Sequence, residues 1–113
     1  FHISKETTKA LITSSKNHKK IIAVGSTTTR VLESVDLSTL QEEGTSGWTN
    51  RYIFPGQKFN SINHILTNFH LPKSTLYILV CAFADKKLIS KAYNEAMKRK
   101  YRFFSYGDAM LII

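Results

Sequence analysis

Apolar residues fall in short runs separated by polar turns, and the spacing changes from run to run. Ser4 is a capping residue, and the pattern after it predicts a helix over 7–16, with Ala10 and Leu11 beside Ser14 and Ser15 as a thin inner stripe. Asn17-His18-Lys19-Lys20 ends that helix in a turn. Ile21-Ile22-Ala23-Val24 is a β-branched run closed by Gly25, the pattern of a buried parallel strand. Ser26-Thr27-Thr28-Thr29 opens a second helix, over 28–35, with Val31, Leu32 and Val35 turned inward. The stretch 36–50 is polar, holds Gly44, Ser46 and Gly47, and reads as a loop. Tyr52-Ile53-Phe54 predicts a short strand stopped by the turn pair Pro55-Gly56. A further strand is expected around His64 to Thr67, before Leu71-Pro72 breaks the run.

The second half is more helical. Ser74 caps a buried helix over 75–84, whose length and cap favour helix over strand. Over 86–100, Leu88, Ala92 and Ala96 step by four, as do Ile89, Tyr93 and Met97, giving one apolar face of an amphipathic helix. Lys98-Arg99-Lys100 occupy its last turn, where cations complement the helix dipole. Ala109-Met110-Leu111-Ile112-Ile113 closes the chain as a last strand or a packed terminus. Helix, strand, glycine turn and helix make the rhythm of an α/β layer, here with short, mostly parallel strands and packing helices. No repeat or low-complexity linker divides it, so 1–113 reads as one segment.

Composition narrows the class. At 113 residues there is room for one modest core, and 42% hydrophobic with 21% charged residues argues against wholesale disorder. The net charge is +8, and after residue 50 ten basic residues face three acidic ones. Such a surface either meets a polyanion or is a solvated face that keeps the protein soluble. A single cysteine, Cys81, rules out an internal disulfide framework and fits a reducing, cytoplasmic compartment. Four scattered histidines and that cysteine lack zinc-site spacing, so no metal is expected. The longest apolar run, Leu76 to Ala84, falls short of the roughly 20 residues a membrane span needs. The opening Phe1-His2-Ile3, without an initiator methionine or a signal peptide, leads us to expect a piece of a longer protein.

Three stretches could carry chemistry. Gly25-Ser26-Thr27-Thr28 places hydroxyls and free amides after a strand, either as an ordinary strand-to-helix turn or as a cradle for an anionic ligand. Arg30 and Glu33, three apart, either pair on the helix surface or leave Arg30 to grip a carboxylate or phosphate. In Thr67-Asn68-Phe69-His70-Leu71-Pro72, Asn68 and His70 would share a face of an extended chain, with His70 as a proton-transfer group or a satisfied core histidine. His2, His18 and His64 look peripheral by context. Tyr101-Arg102-Phe103-Phe104-Ser105-Tyr106-Gly107-Asp108 mixes aromatics with a cation, as in base-stacking surfaces, or packs Phe103 and Phe104 into the core. Gly107-Asp108 there either presents a carboxylate on a tight turn or is a plain turn.

These stretches also resemble a known family, the S-adenosylmethionine:tRNA ribosyltransferase-isomerases of the queuosine pathway. The resemblance rests on Ala23 to Ser34, Ile53 to Phe59, Leu66 to Leu76, Ala82-Phe83-Ala84 and Tyr101 to Met110, in the family's order and spacing. The family commonly has Gly-Thr-Thr-Ser where Gly25-Ser26-Thr27-Thr28 stands, Asp in place of Asn63 and Gly in place of Asp85. The family's N-terminal region and inserted β-barrel domain would precede Phe1. The resemblance therefore implies the C-terminal part of the α/β catalytic domain, without the barrel.

The resemblance further implies a transferase and isomerase of tRNA modification. It would move the ribosyl moiety of S-adenosylmethionine, a co-substrate and not a cofactor, onto 7-aminomethyl-7-deazaguanine at the tRNA wobble position. The product would be epoxyqueuosine, with adenine and methionine released. On this basis Gly25, Ser26, Thr27, Thr28 and Arg30 would bind the methionyl carboxylate or ribose hydroxyls. His70, oriented by Asn68, would be general acid or base, and Asp108 a second proton-transfer or amine-binding group. Lys73, Lys98, Arg99, Lys100 and Arg102 would meet tRNA phosphates. The alternative is a truncated or split-gene fragment, inactive alone, missing its N-terminal half and binding RNA weakly through its basic charge.

Overall fold

The computed structural model describes all residues, 1–113. In chain order the elements are β1 (His2–Ile3), α1 (Lys5–Lys16), β2 (Ile22–Val24), α2 (Ser26–Leu32), β3 (Thr45–Ser46), β4 (His64–Asn68), α3 (Thr75–Ala84), α4 (Lys86–Lys98) and β5 (Ala109–Ile112). β1 and β3 form an antiparallel ribbon, and β2, β4 and β5 form a sheet in that order. The α/β class expected from the sequence is what folds.

The sheet is mixed, which corrects the expectation of mostly parallel strands. β2 runs parallel to β4, with Ala23 opposite Ile65, whereas β5 runs antiparallel to it, with Leu111 opposite Leu66. One helix, α2, lies between β2 and β4. Two helices, α3 and α4, lie between β4 and β5. Tyr52-Ile53-Phe54 forms no strand. Ile53 alone plugs into the core, Tyr52 and Phe54 stack outside with ring centroids 6.2 Å apart, and the Arg51 carbonyl accepts from Arg30 Nε instead of a strand partner.

Ala23, Ile65 and Ile112 align across the three strands and are buried against Leu79, Val80, Ile89 and Tyr93 of the helices. The expectation of a fully buried β2 holds for one face only: Ile22 and Val24 point outward and stay exposed. The helical stripes are also narrower than the spacing implied. α1 buries Thr8 and Ile12, not Ala10, while α4 buries Ile89, Tyr93 and Ala96 and leaves Leu88 and Met97 out. Ser4 and Ser74 cap α1 and α3 through their hydroxyls, accepting from Thr7 N and Tyr77 N. No helix is long and apolar enough to cross a membrane.

Candidate active site

β2 and β4 run side by side in the same direction, β2 ending at Val24 opposite Leu66 and β4 two residues later at Asn68, so the segments leaving the two strands meet at the carboxyl edge of the sheet, the usual place for a ligand crevice in α/β folds. After β2 the chain turns at Gly25, whose φ of 89° is forbidden to most L residues. A Cβ there would meet nothing within 4 Å, so glycine answers the backbone angle and not a lack of space. Gly25 N donates to Leu66 O at 2.8 Å, which fastens the turn to β4. The buried Thr29 returns its hydroxyl to Gly25 O at 3.0 Å. Ser26, Thr27 and Thr28 are left facing a cavity of about 380 Å³. α2 is only two turns long, so these hydroxyls carry the polarity of the turn more than any helix dipole does.

From the end of β4 come Thr67 and Asn68, and from the segment just after it His70, which line the same cavity together with Leu71, Leu76, Phe104 and Ser105. The glycine turn and the imidazole thus converge. His70 is the only charged or titratable side chain among the lining residues. Its Nε2 lies 2.8 Å from Thr67 Oγ1, the ring's only hydrogen bond within the chain. Its backbone N donates to Tyr93 Oη at 2.9 Å, and Tyr93 stacks edge-on with Phe69 at 5.2 Å, so the aromatic core sets where the histidine sits. Burial lowers the imidazole pKa, which keeps the ring neutral at pH 7.

Asn68 does not orient His70. Its Nδ2 donates to the carbonyls of Gly107 and Asp108, at 3.2 and 3.3 Å, and ties β4 to the turn before β5. The residue that sequence reasoning missed is Thr67, three positions before the histidine. Asp108 does not reach the cavity either. Its carboxylate accepts from Arg102 N at 2.7 Å and Arg102 Nη2 at 3.3 Å. The Arg102 backbone N–H, then its guanidinium, hold the Asp108 pKa below the usual range. A carboxylate so engaged is a brace, poorly suited to donating a proton.

Arg30 lies next door. It shares a smaller cavity of about 210 Å³ with Arg51, Tyr52, Thr75 and Leu76, and Leu76 is the wall common to both cavities. Arg30 and Glu33 do not pair. Glu33 is buried and accepts from the amides of Asn60, Ser61 and Ile62 at 2.9–3.1 Å. Asn63, where a carboxylate was to be expected, accepts from Ile21 N at 2.9 Å, a structural bond that an amide oxygen makes as well.

The basic residues form no single cluster. Lys73 is exposed in the turn before α3, with a φ of 65°. Arg99 is ion-paired to Glu95 at 2.7 Å, and Arg102 is held by Asp108. Lys98 instead continues a groove along α4 with Lys86, Lys87 and Lys91. His64, which looked peripheral, sits in the central strand opposite Ile22. No three His, Cys, Asp or Glu side chains gather in a way that could hold a metal ion.

Fold and crevice together define an α/β segment with a cavity of mixed polar and apolar lining, His70 its one titratable side chain, where two parallel strands run out. A family model described as queuosine biosynthesis protein matches residues 1–112, and the chain belongs to that family. It is 49% identical over 113 residues to the S-adenosylmethionine:tRNA ribosyltransferase-isomerase of Staphylococcus epidermidis, covering 100% of this chain and 33% of that protein. To the protein of the same name from Caldanaerobacter subterraneus it is 51% identical over 111 residues, 98% of this chain and again 33% of the relative. The crystal structure of S-adenosylmethionine tRNA ribosyltransferase from Thermotoga maritima superposes with a TM-score of 0.89 at 46% identity, covering 99% of this chain and 39% of that one. The chain thus spans about a third of the length of the curated relatives it matches.

Proposed function

We propose that this chain supplies one side of an S-adenosylmethionine:tRNA ribosyltransferase-isomerase site, acting in the cytoplasm on tRNA that carries 7-aminomethyl-7-deazaguanine. The observation that supports it most is the convergence of Ser26, Thr27, Thr28 and His70 on one cavity. In this reading the hydroxyls take the ribose hydroxyls of S-adenosylmethionine. Arg30 and Arg51, across Leu76, take the methionyl carboxylate, which suits a guanidinium better than a neutral hydroxyl. Neutral His70 is a base able to remove the proton beside the sulfonium, and Thr67 fixes its ring.

Ribosyl transfer with adenine departure also needs a proton donor for the leaving base. His70 is the only titratable group lining the cavity, and the Asp108 carboxylate is engaged by Arg102. His70 is thus the one proton-transfer group that this chain brings to the cavity, and a chain that spans about a third of its relatives should not turn over alone.

The test is adenine release from S-adenosylmethionine and the modified tRNA. The chain alone should release none. Exchanged for the matching third of the Staphylococcus epidermidis protein, it should restore release, and His70→Ala in that hybrid should lower turnover by roughly 10²–10⁴-fold, the usual share of a general acid or base. A folded hybrid that is inactive, or one indifferent to His70→Ala, contradicts the proposal.

A further inference from the structure

Two phenylalanines stand side by side before β5, and the structure separates them. Phe103 packs into the core, its ring centroid 5.2 Å from Phe69 and 5.7 Å from Tyr93. Phe104 turns the other way, is 55% exposed, and lines the cavity beside Ser105. Its φ is 71°, a left-handed angle that is a genuine outlier for a bulky L residue. Residues are kept in such a state only where their surroundings over-determine it.

The surroundings do so here. Phe104 N donates to Phe69 O at 3.0 Å, and Gly107 N donates to Phe104 O at 2.9 Å. Asp108 closes the turn on Arg102, from whose backbone its carboxylate accepts at 2.7 Å, and Asn68 fastens it to β4. A side chain at Gly107 would collide with the backbone, since a Cβ there would lie 2.5 Å from Phe103 O. The whole turn is braced, yet the ring it holds is not buried. Packing explains Phe103 and leaves Phe104 without a partner inside the fold.

The cavity defines what the ring can meet. No lysine, arginine or carboxylate lines it, which disfavours a phosphate or another fully charged group against Phe104. Phe104, Leu71 and Leu76 give apolar surface, while Ser105, Asn68 and Ser74 give polar edges. A flat neutral heterocycle with hydrogen-bonding edges matches that mixture. We propose that Phe104 is the stacking wall of this cavity and that it takes a planar heteroaromatic ring of the purine type. This deepens the proposed function and rests on the reading that the cavity receives a nucleoside. It also recasts Asp108, Gly107 and Asn68 as positioning residues for Phe104.

The test titrates the 113-residue chain with 2-aminopurine riboside, whose fluorescence falls when its ring stacks, with adenosine as competitor. Wild type should quench saturably. Phe104→Tyr, which keeps an aromatic face, should bind within about twofold, and Phe104→Leu should bind about tenfold more weakly, as expected for loss of one base–aromatic stack. All three should melt at the same temperature, because the ring is outside the core. Equal binding by Phe104→Leu overturns the proposal, as does the absence of saturable quenching in wild type. Weakening in both variants with lowered melting temperatures also overturns it, in favour of a packing role. The hybrid enzyme keeps the two readings apart: adenine release with Phe104-independent binding removes the stacking wall alone, whereas Phe104-dependent binding without release removes the reaction alone.

Discussion

Arg30 and Glu33 are spaced to pair on a helix, and neither does so. Glu33 instead holds three amides of the segment 60–62, and Arg30 holds the carbonyl of Arg51. Both partners come from distant parts of the chain, so the local sequence allowed the pairing without deciding it. A glutamine at 33 has one carbonyl oxygen for three donors and sets an NH₂ group against them. Glu33→Gln should therefore lower the unfolding free energy by about 3 kcal/mol in urea denaturation, through buried donors left unpaired. An unchanged midpoint would mean that water serves those amides. His70 could be recognised from its neighbours, but its environment could not. Burial depresses its pKa from the ordinary 6.5, so the folded state binds its proton less readily than the unfolded one. The stability this confers is complete above pH 6.5 and is lost as pH falls from there through the depressed folded value. The His70 ring signals in NMR should titrate with a midpoint below 6.5, and a midpoint above 6.5 would contradict the neutral base.

At the scale of elements, caps and breakers were legible because their physics is local. Ser4, Ser74, Gly25 and Pro72 punctuate the chain where the sequence says they should. That 52–54 forms no strand was not legible, since β-branched and aromatic content cannot tell whether a strand edge is within reach. Asp85 shows how one residue can break a local rule and make it good. It joins α3 to α4 with a φ of 76°, and its carboxylate accepts from Lys87 N at 2.7 Å and Leu88 N at 3.3 Å as the α4 cap. Asp85→Ala loses the cap and keeps the strained angle, so it should cost about 2 kcal/mol. Asp85→Gly loses the cap but relaxes the angle, and should stay within about 1 kcal/mol of wild type. Alanine as stable as glycine in urea melts would show that the angle carries no strain.

Across the whole molecule, the position of the basic excess was readable but its arrangement was not. The Lys98-Arg99-Lys100 run draws attention in the sequence, yet Arg99 is spent on Glu95. Of that run Lys98 alone lines a groove with Lys86, Lys87 and Lys91, beside Glu95, which helical spacing brings to one side of α4. Replacing Lys87, Lys91 and Lys98 with alanine should flatten the salt dependence of single-stranded RNA binding by about 0.7 in slope for each lysine. An unaltered slope would make the groove a solvated face. The crevice itself was partly legible. The glycine turn and His70 stood out as motifs, but Thr67 as the imidazole's partner and Phe104 as a wall depend on backbone angles and contacts that only the fold defines.

A working site requires that the turn after β2 and the imidazole after β4 face one ligand. Following backbone amides and the His70 ring together by NMR, while S-adenosylmethionine is added to the 113-residue chain, tests this most directly. Ser26, Thr27, Thr28 and His70 should shift in concert along a single binding curve. Shifts confined to one side of the crevice, or two curves with different midpoints, would show that the two halves do not share a ligand.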